Sequence, residues 1–148
     1  MKATTLLLFQ HRRIQTLVDA AAKSRDARDE HTLALTDAVT AHLATEEAVL
    51  YPVVEREMAL DMSLHRAAHV RARLALFRLA TASSEGFAED LAHLDRVMRE
   101  HALSSSALVR ALEDHMSDAG LIRLGQRMND FERRLRQPRA PVEQALAS

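Results

Sequence analysis

Residues 35–54 of the chain read LTDAVTAHLATEEAVLYPVV, and this stretch decides the fold class. Its apolar side chains recur at helical spacing, which is the pattern of an α-helix with one buried face. The apolar stripe consists of Leu35, Val39, Leu43, Leu50 and Val54. Within the same stretch His42 and Glu46 lie four residues apart, so their side chains share one helix face. A predicted core helix therefore carries an imidazole and a carboxylate side by side.

The residues on either side of this stretch predict further helices. The chain is 47% apolar but only 3% aromatic, with three glycines and three prolines, a composition that favours helices over strands. Periodicity and polar turns predict helices at residues 3–23, 30 to the mid-fifties, 61 or 63 to 82, 87–116 and 118–136. We therefore predict an all-α fold, an up-down-up-down antiparallel four-helix bundle with a short fifth C-terminal helix. Pro52 is expected to disturb the second helix near its end.

The domain organisation and the broad class follow from length and composition. Residues 1–136 are expected to form one helical bundle and residues 137–148 a flexible C-terminal tail. The formal net charge of −1 gives no electrostatic reason to expect nucleic acid or membrane as a partner. No apolar run reaches the length of a membrane span, so a cytoplasmic protein is expected, and a homo-oligomer is left open. Because the chain has no cysteine, any metal must be bound through nitrogen and oxygen.

The eight histidines are more than a helical core needs, and their spacing is informative. His65 and His69 form a second pair four residues apart, on the predicted third helix. His11 and His101 lie singly on the first and fourth helices. Imidazole together with carboxylate suits iron, manganese or zinc. The candidate metal ligands are His11, His42, Glu46, His65, His69 and His101.

A height comparison tests whether these residues can meet. In an antiparallel helix pair, two residues at the same height are equidistant from the connecting turn. The midpoint of His11 and His42 falls between residues 26 and 27, inside the predicted turn at 24–29. The midpoint of His69 and His101 falls at residue 85, inside the turn at 83–86. The midpoint of Glu46 and His65 misses its turn by about four residues, roughly 6 Å along a helix.

The remaining histidines and nearby acids have a simpler interpretation. A lone histidine on an amphipathic helix is usually a boundary residue, and His31, His93 and His115 fit that description. Glu47 and Glu55 are interpreted as solvent-facing charges and not as ligands.

The segment from His42 to Pro52 resembles the H-x-x-x-E-E-x-x-L-[YF]-P signature of hemerythrin-like (HHE, cation-binding) domains, and the resemblance extends over about residues 4–115. It implies a four-helix bundle with a non-haem di-iron centre that binds or senses dioxygen, peroxide or nitric oxide. The implied cofactor is one or two iron ions, with or without a bridging oxo or hydroxo group, or another divalent metal. Carried over by position, His11, His42, His65, His69 and His101 would be imidazole ligands and Glu46 a bridging carboxylate.

The sequence departs from the family pattern on the fourth helix. Hemerythrins carry a second bridging carboxylate four or five residues after the histidine of that helix. Here those positions are Ser105 and Ser106, and serine is a poor ligand for these ions. Losing one anion leaves two nearby cations with uncompensated charge, so the second ion should be held more weakly, or its subsite should be empty.

Three functions therefore stay open. The first, a non-enzymatic module that binds metal and a small oxygen-derived or nitrogen-derived ligand, accounts for the most residues. The second is a peroxidase-like or oxidase-like di-iron enzyme. The third is a metal-free bundle that has lost its ions and acts as an interaction module, which the serines at 105 and 106 favour.

Overall fold

The computed structural model describes residues 1–137, and this part of the chain is helical and contains no strand. The elements in order are α1 (Ala3–Ser24), α2 (Glu30–Thr45), a π-helical segment (Glu46–Leu50), α3 (Tyr51–Met58), α4 (Ser63–Ala80), α5 (Phe87–His115) and α6 (Asp118–Arg136). None of the helices in residues 1–137 combines the length and the apolar character that a membrane span requires. The tail predicted for residues 137–148 lies, from residue 138 onward, outside the described residues.

The helix ends lie within a few residues of their predicted positions. α1 ends where Arg25 adopts a left-handed conformation, with φ of 55°. α2 begins after Asp29, whose side chain accepts a hydrogen bond from the backbone N–H of His31. α6 begins after Ser117, whose hydroxyl accepts from the N–H of Gly120.

The second predicted helix is continuous through residue 58 but changes its hydrogen-bonding pattern before Pro52. Proline has no N–H to donate, and its ring crowds the carbonyl four residues earlier, at Ala48. The backbone responds with one π-helical turn, in which the N–H of Tyr51 donates to the carbonyl of Glu46. The disturbance expected at Pro52 therefore lies in the turn that precedes it.

The hydrophobic core is divided into two clusters along the bundle axis. One cluster contains residues from the start of α1, the π-helical segment, α3, the end of α5 and α6. The other contains residues from the later part of α1, α2, α4 and the first part of α5. Between them α1, α2, the π-helical segment, α4 and α5 contribute buried polar side chains instead: Gln10, His42, Thr45, Glu46, His69, His101 and Ser105. The fold thus places a polar layer inside the bundle.

The helices close around this layer, and α6 packs across them. α1 contacts α2 and α5, while α4 contacts α5 and α2. α6 contacts α1, α2 and the π-helical segment. Gly125 makes the contact with α1 close, because a Cβ there would lie 2.8 Å from the backbone nitrogen of Ala3.

Candidate metal centre

Four side chains in the polar layer bring their ligand atoms together. His11 on α1, His42 on α2, Glu46 at the start of the π-helical segment and His101 on α5 each offer one such atom, all within 4.8 Å of one another. Three of the four residues are buried, and His11 is the more exposed member. Four separate positions in the sequence thus form one group that could hold a metal ion.

The ring nitrogens of this group converge. Nε2 of His42 lies 3.2 Å from Nε2 of His11 and 3.0 Å from Nε2 of His101. The same atom is 3.6 Å from Oε1 of Glu46. The planes of the His42 and His101 rings are inclined by 72°, and the ring centroids lie 5.2 Å apart. Edges that carry nitrogen lone pairs are thereby turned toward each other.

Glu46 is fully buried, and its two oxygens differ sharply. Oε2 accepts a hydrogen bond from the hydroxyl of Tyr51 at 3.0 Å and lies 2.9 Å from Nε2 of His69 and 3.1 Å from Nε2 of His101. Oε1 has no hydrogen-bond partner. A buried polar atom without a partner costs free energy, so this oxygen is placed for a partner that is not a protein donor.

Electrostatics prepare the group for a cation. Burial lowers the pKa of His42 to about 3 and that of His11 to about 4, against the attraction of Glu46. Burial alone would raise the pKa of the Glu46 carboxyl, but its neighbours, led by His42, outweigh it and hold that pKa well below its usual range. At neutral pH the imidazoles of His11 and His42 are therefore neutral and the carboxylate is charged, which are the states that bind metal. The donor set and the unpartnered Oε1 both fit a metal ion.

Comparison with protein families agrees with this geometry. The hemerythrin HHE cation binding domain matches residues 2–119, which is most of the chain. The chain belongs to this family. Comparison with curated proteins and with solved structures gives no match. The resemblance recognised in the sequence is thus confirmed.

Two imidazoles of the hemerythrin domain have hydrogen-bond partners at Nδ1, the ring nitrogen that faces away from the centre. Nδ1 of His42 lies 3.0 Å from Oε1 of Gln10, and Nδ1 of His69 lies 2.8 Å from Oε1 of Glu47. Arg73 donates to both oxygens of Glu47, at 2.7 and 2.8 Å. When Nδ1 donates outward, Nε2 is left to face the centre. Glu47, interpreted as a solvent-facing charge and not as a ligand, is partly exposed and also accepts from a buried histidine.

His65 and His69 are placed differently from each other in this hemerythrin domain. His69 is buried and contacts Glu46. His65 lies in the first turn of α4, partly exposed, outside the group of four, with its ring centroid 5.7 Å from that of Tyr51. Burial lowers the pKa of His65, with Glu46 opposing the effect. The assignment of six metal ligands stays a prediction.

Ser105 and Ser106, which stand where the family has a second carboxylate, differ in burial. Ser105 is buried, on the face of α5 that carries His101. Ser106 is partly exposed, and its hydroxyl donates to the backbone oxygen of Leu103 at 2.6 Å. Ser105 is thus the position where a carboxylate would enter the polar layer.

Two site residues were missed in the sequence. The hydroxyl of Tyr51 lies 2.8 Å from Nε2 of His69 as well as donating to Glu46, although it had been noted only as part of the helix motif. Gln10 occupies an apolar-periodic position between Leu7 and Ile14, and a polar residue on a core face was the available signal.

A cavity of about 450 Å³ leads to the most exposed member of the group. It lies between α1 and α5, with His11, Ile14, Met98 and Ala102 in its lining. Arg12 and Arg99 are also part of its lining. A small molecule can therefore reach His11 from this side of the hemerythrin domain.

Proposed function

We propose that this hemerythrin HHE domain binds non-haem iron through His11, His42, Glu46 and His101, and that it binds or senses dioxygen, peroxide or nitric oxide there. The observation that carries the proposal is Oε1 of Glu46, which is buried without a hydrogen-bond partner and lies 3.6 Å from Nε2 of His42. A protein without metal would leave this desolvated oxygen uncompensated. A bound cation supplies the missing partner.

The donor chemistry limits the choice of metal. Imidazole and carboxylate without thiolate suit iron, manganese and zinc, and family membership favours iron among them. Bound iron would supply reversible binding of small oxygen-derived and nitrogen-derived ligands. The chain itself contributes the neutral imidazoles of His11 and His42, one charged carboxylate and a cavity that reaches His11.

A second ion would be held by His69 and Glu46, with His65 as a further ligand. His69 and Glu46 are already in contact, whereas His65 would have to turn inward from the first turn of α4. Ser105 offers no charge where hemerythrins supply a second carboxylate. With one anion fewer, the repulsion between two cations is less well offset. We therefore propose that the second ion is bound more weakly than the first.

Reconstitution tests the proposal directly. The purified protein is incubated with ferrous ion under argon, desalted and analysed for bound iron, and its optical spectrum is then followed as air is admitted. Iron should be retained, and an absorption that depends on oxygen should appear. His101→Ala should lose most of the bound iron, whereas His93→Ala should retain it, because His93 lies on the same helix but is partly exposed, pairs with Arg96 and is not in the group of four.

The alternatives give different results. No retained iron in the parent protein would reject the proposal and favour a metal-free interaction module. Sustained consumption of peroxide with an added reductant would indicate the enzymatic alternative. Up-down-up-down order of the four helices, a cytoplasmic location and any homo-oligomer remain part of the proposal, to be checked by structure determination, cell fractionation and light scattering.

A further inference from the structure

A chain of hydrogen bonds connects α6 with the candidate metal centre. The side chain of Gln10 spans the gap, because its Nε2 donates to Oε2 of Glu132 at 2.8 Å while its Oε1 lies 3.0 Å from Nδ1 of His42. Gln10 belongs to α1, Glu132 to α6 and His42 to α2. Three helices thus meet in one line of contacts that ends on an imidazole of the group.

The donors and acceptors in this line can be arranged in only one complete way. The carboxylate of Glu132 accepts but cannot donate, so it fixes the NH₂ end of the Gln10 amide on its own side. The amide oxygen then faces His42 and requires a donor, which places a proton on Nδ1 of that ring. The Nε2 atom of His42 is consequently unprotonated and presents its lone pair to His11, Glu46 and His101.

Because these side chains are buried, water cannot easily replace their partners in this arrangement. His42 is 1% exposed and Gln10 is 6% exposed, so water is a poor substitute for either partner. The side chain of Glu132 is 14% exposed, and its other oxygen pairs with Arg136 one turn along α6. Without Glu132 the Gln10 amide can turn over and offer its NH₂ group to His42. The ring would then accept through Nδ1 and carry its proton on Nε2, the atom that faces the centre.

We propose that Glu132, acting through Gln10, is a positioning residue that sets the tautomer of His42 and so prepares Nε2 for a metal ion. α6 lies almost entirely beyond the residues that match the family, which end at 119. A helix outside the matched domain therefore controls an imidazole inside it. The consequence for metal affinity rests on the proposed function, since it requires His42 to be a ligand.

The tautomer is measured in metal-free protein. Nitrogen-15 NMR of the imidazole rings at neutral pH should show His42 with its proton on Nδ1 in the parent. Glu132→Leu should shift a substantial part of the population to the other tautomer. Glu132→Gln should retain the parent state, because the new amide oxygen can still accept from Gln10. Asp130→Leu is the matched control, since it also removes one carboxylate and one ion pair with arginine on α6 but does not contact Gln10.

Affinity is measured separately, with Co²⁺ alone as the probe in a competition titration under argon. Glu132→Leu should bind cobalt about tenfold more weakly than the parent, as for other residues that orient a metal-binding histidine, and Asp130→Leu should bind it as the parent does. An unchanged tautomer or an unchanged affinity in Glu132→Leu overturns the inference, as does an equal effect in Asp130→Leu. A parent that binds no cobalt counts against the proposed function instead, and the tautomer measurement then still decides whether Glu132 positions His42.

Discussion

Tyr51 donates to Glu46 twice, once from its backbone N–H to the carbonyl oxygen and once from its hydroxyl to Oε2 at 3.0 Å. Both bonds depend on the π-helical turn, in which a backbone N–H donates to the carbonyl five residues earlier. In a regular α-helix a residue at this spacing points to a different face from Glu46. The turn thus brings the one tyrosine of the chain over the one carboxylate of the group.

Tyr51→Phe should therefore destabilise the metal-free protein while keeping its shape. The buried carboxylate loses one donor, at a cost of about 1–3 kcal/mol in the free energy of unfolding. Urea unfolding of the parent, of Tyr51→Phe, of Glu46→Gln and of the double variant gives a complete cycle. The cost of Tyr51→Phe should be smaller when Glu46 is already Gln, and equal costs in both backgrounds would show that the hydroxyl contributes nothing through Glu46.

Ser105→Glu should increase the amount of metal that the protein binds. The new carboxylate enters the polar layer next to His101, where it offsets the charge of a second cation. In metal-free protein the same change should destabilise the fold, because it buries an unpaired carboxylate. Ser106→Asp is the control, since Ser106 is partly exposed. Elemental analysis after reconstitution with ferrous ion should show a gain for Ser105→Glu alone, and an equal gain in both variants would place the second subsite elsewhere.

The stability of the metal-free protein should fall as the pH decreases below about 6.5. Burial lowers the pKa of His11 to about 4 and that of His42 to about 3. Between these values and about 6.5 the two histidines are protonated in the unfolded chain but neutral in the folded one. The stabilising contribution is complete above the unfolded pKa of about 6.5 and is lost progressively toward the folded values, at up to about 1.4 kcal/mol per pH unit for each histidine.

Urea unfolding near pH 7 and near pH 5 measures this slope. His42→Asn should flatten it, whereas His31→Asn, at an exposed position, should leave it unchanged.

The same lowered pKa values affect the pH at which metal is released. Free histidine would lose a metal ion to protons below about pH 6, but these lowered pKa values mean that protons compete only at lower pH.

Gly125→Ala should destabilise the protein by about 1–3 kcal/mol. A Cβ at this position meets the backbone nitrogen of Ala3 at 2.8 Å, and backbone cannot turn aside as a side chain can. Gly125 lies two helical turns before Glu132 on the same face of α6, so the displacement should also weaken the bond between Glu132 and Gln10. Gly120→Ala is the matched control, because its nearest neighbours are side-chain atoms at 3.4 Å. Similar melting temperatures for the two variants would contradict the prediction.

The helices could be predicted from the sequence because apolar periodicity and turn residues act locally. The predicted bounds of α6 and the start of α5 at Phe87 agree with the structure. The π-helical turn was not predictable in detail, since Pro52 signals a disturbance but does not say how the backbone absorbs it. The π-helical turn begins at Glu46, the residue whose midpoint with His65 did not fall in the predicted turn.

The candidate site was predictable to the extent that its residues share helix faces. His11, His42, Glu46 and His101 meet, and His69 contacts Glu46. The contacts of Gln10, Glu47 and Glu132 were out of reach, because each depends on how two or three helices pack. Glu132 in particular reads as one more surface charge on a polar helix.

The polar layer that divides the core has a consequence for how the molecule comes apart. Each of the two apolar clusters buries its own set of side chains, and the layer between them is joined by hydrogen bonds among groups that would prefer water. We expect the two ends of the bundle to open with partial independence in the metal-free protein, and amide exchange to show distinct protection in each. A cation held by α1, α2 and α5 at once would link the ends into one cooperative unit, so that loading sharpens the melting transition as well as raising its midpoint.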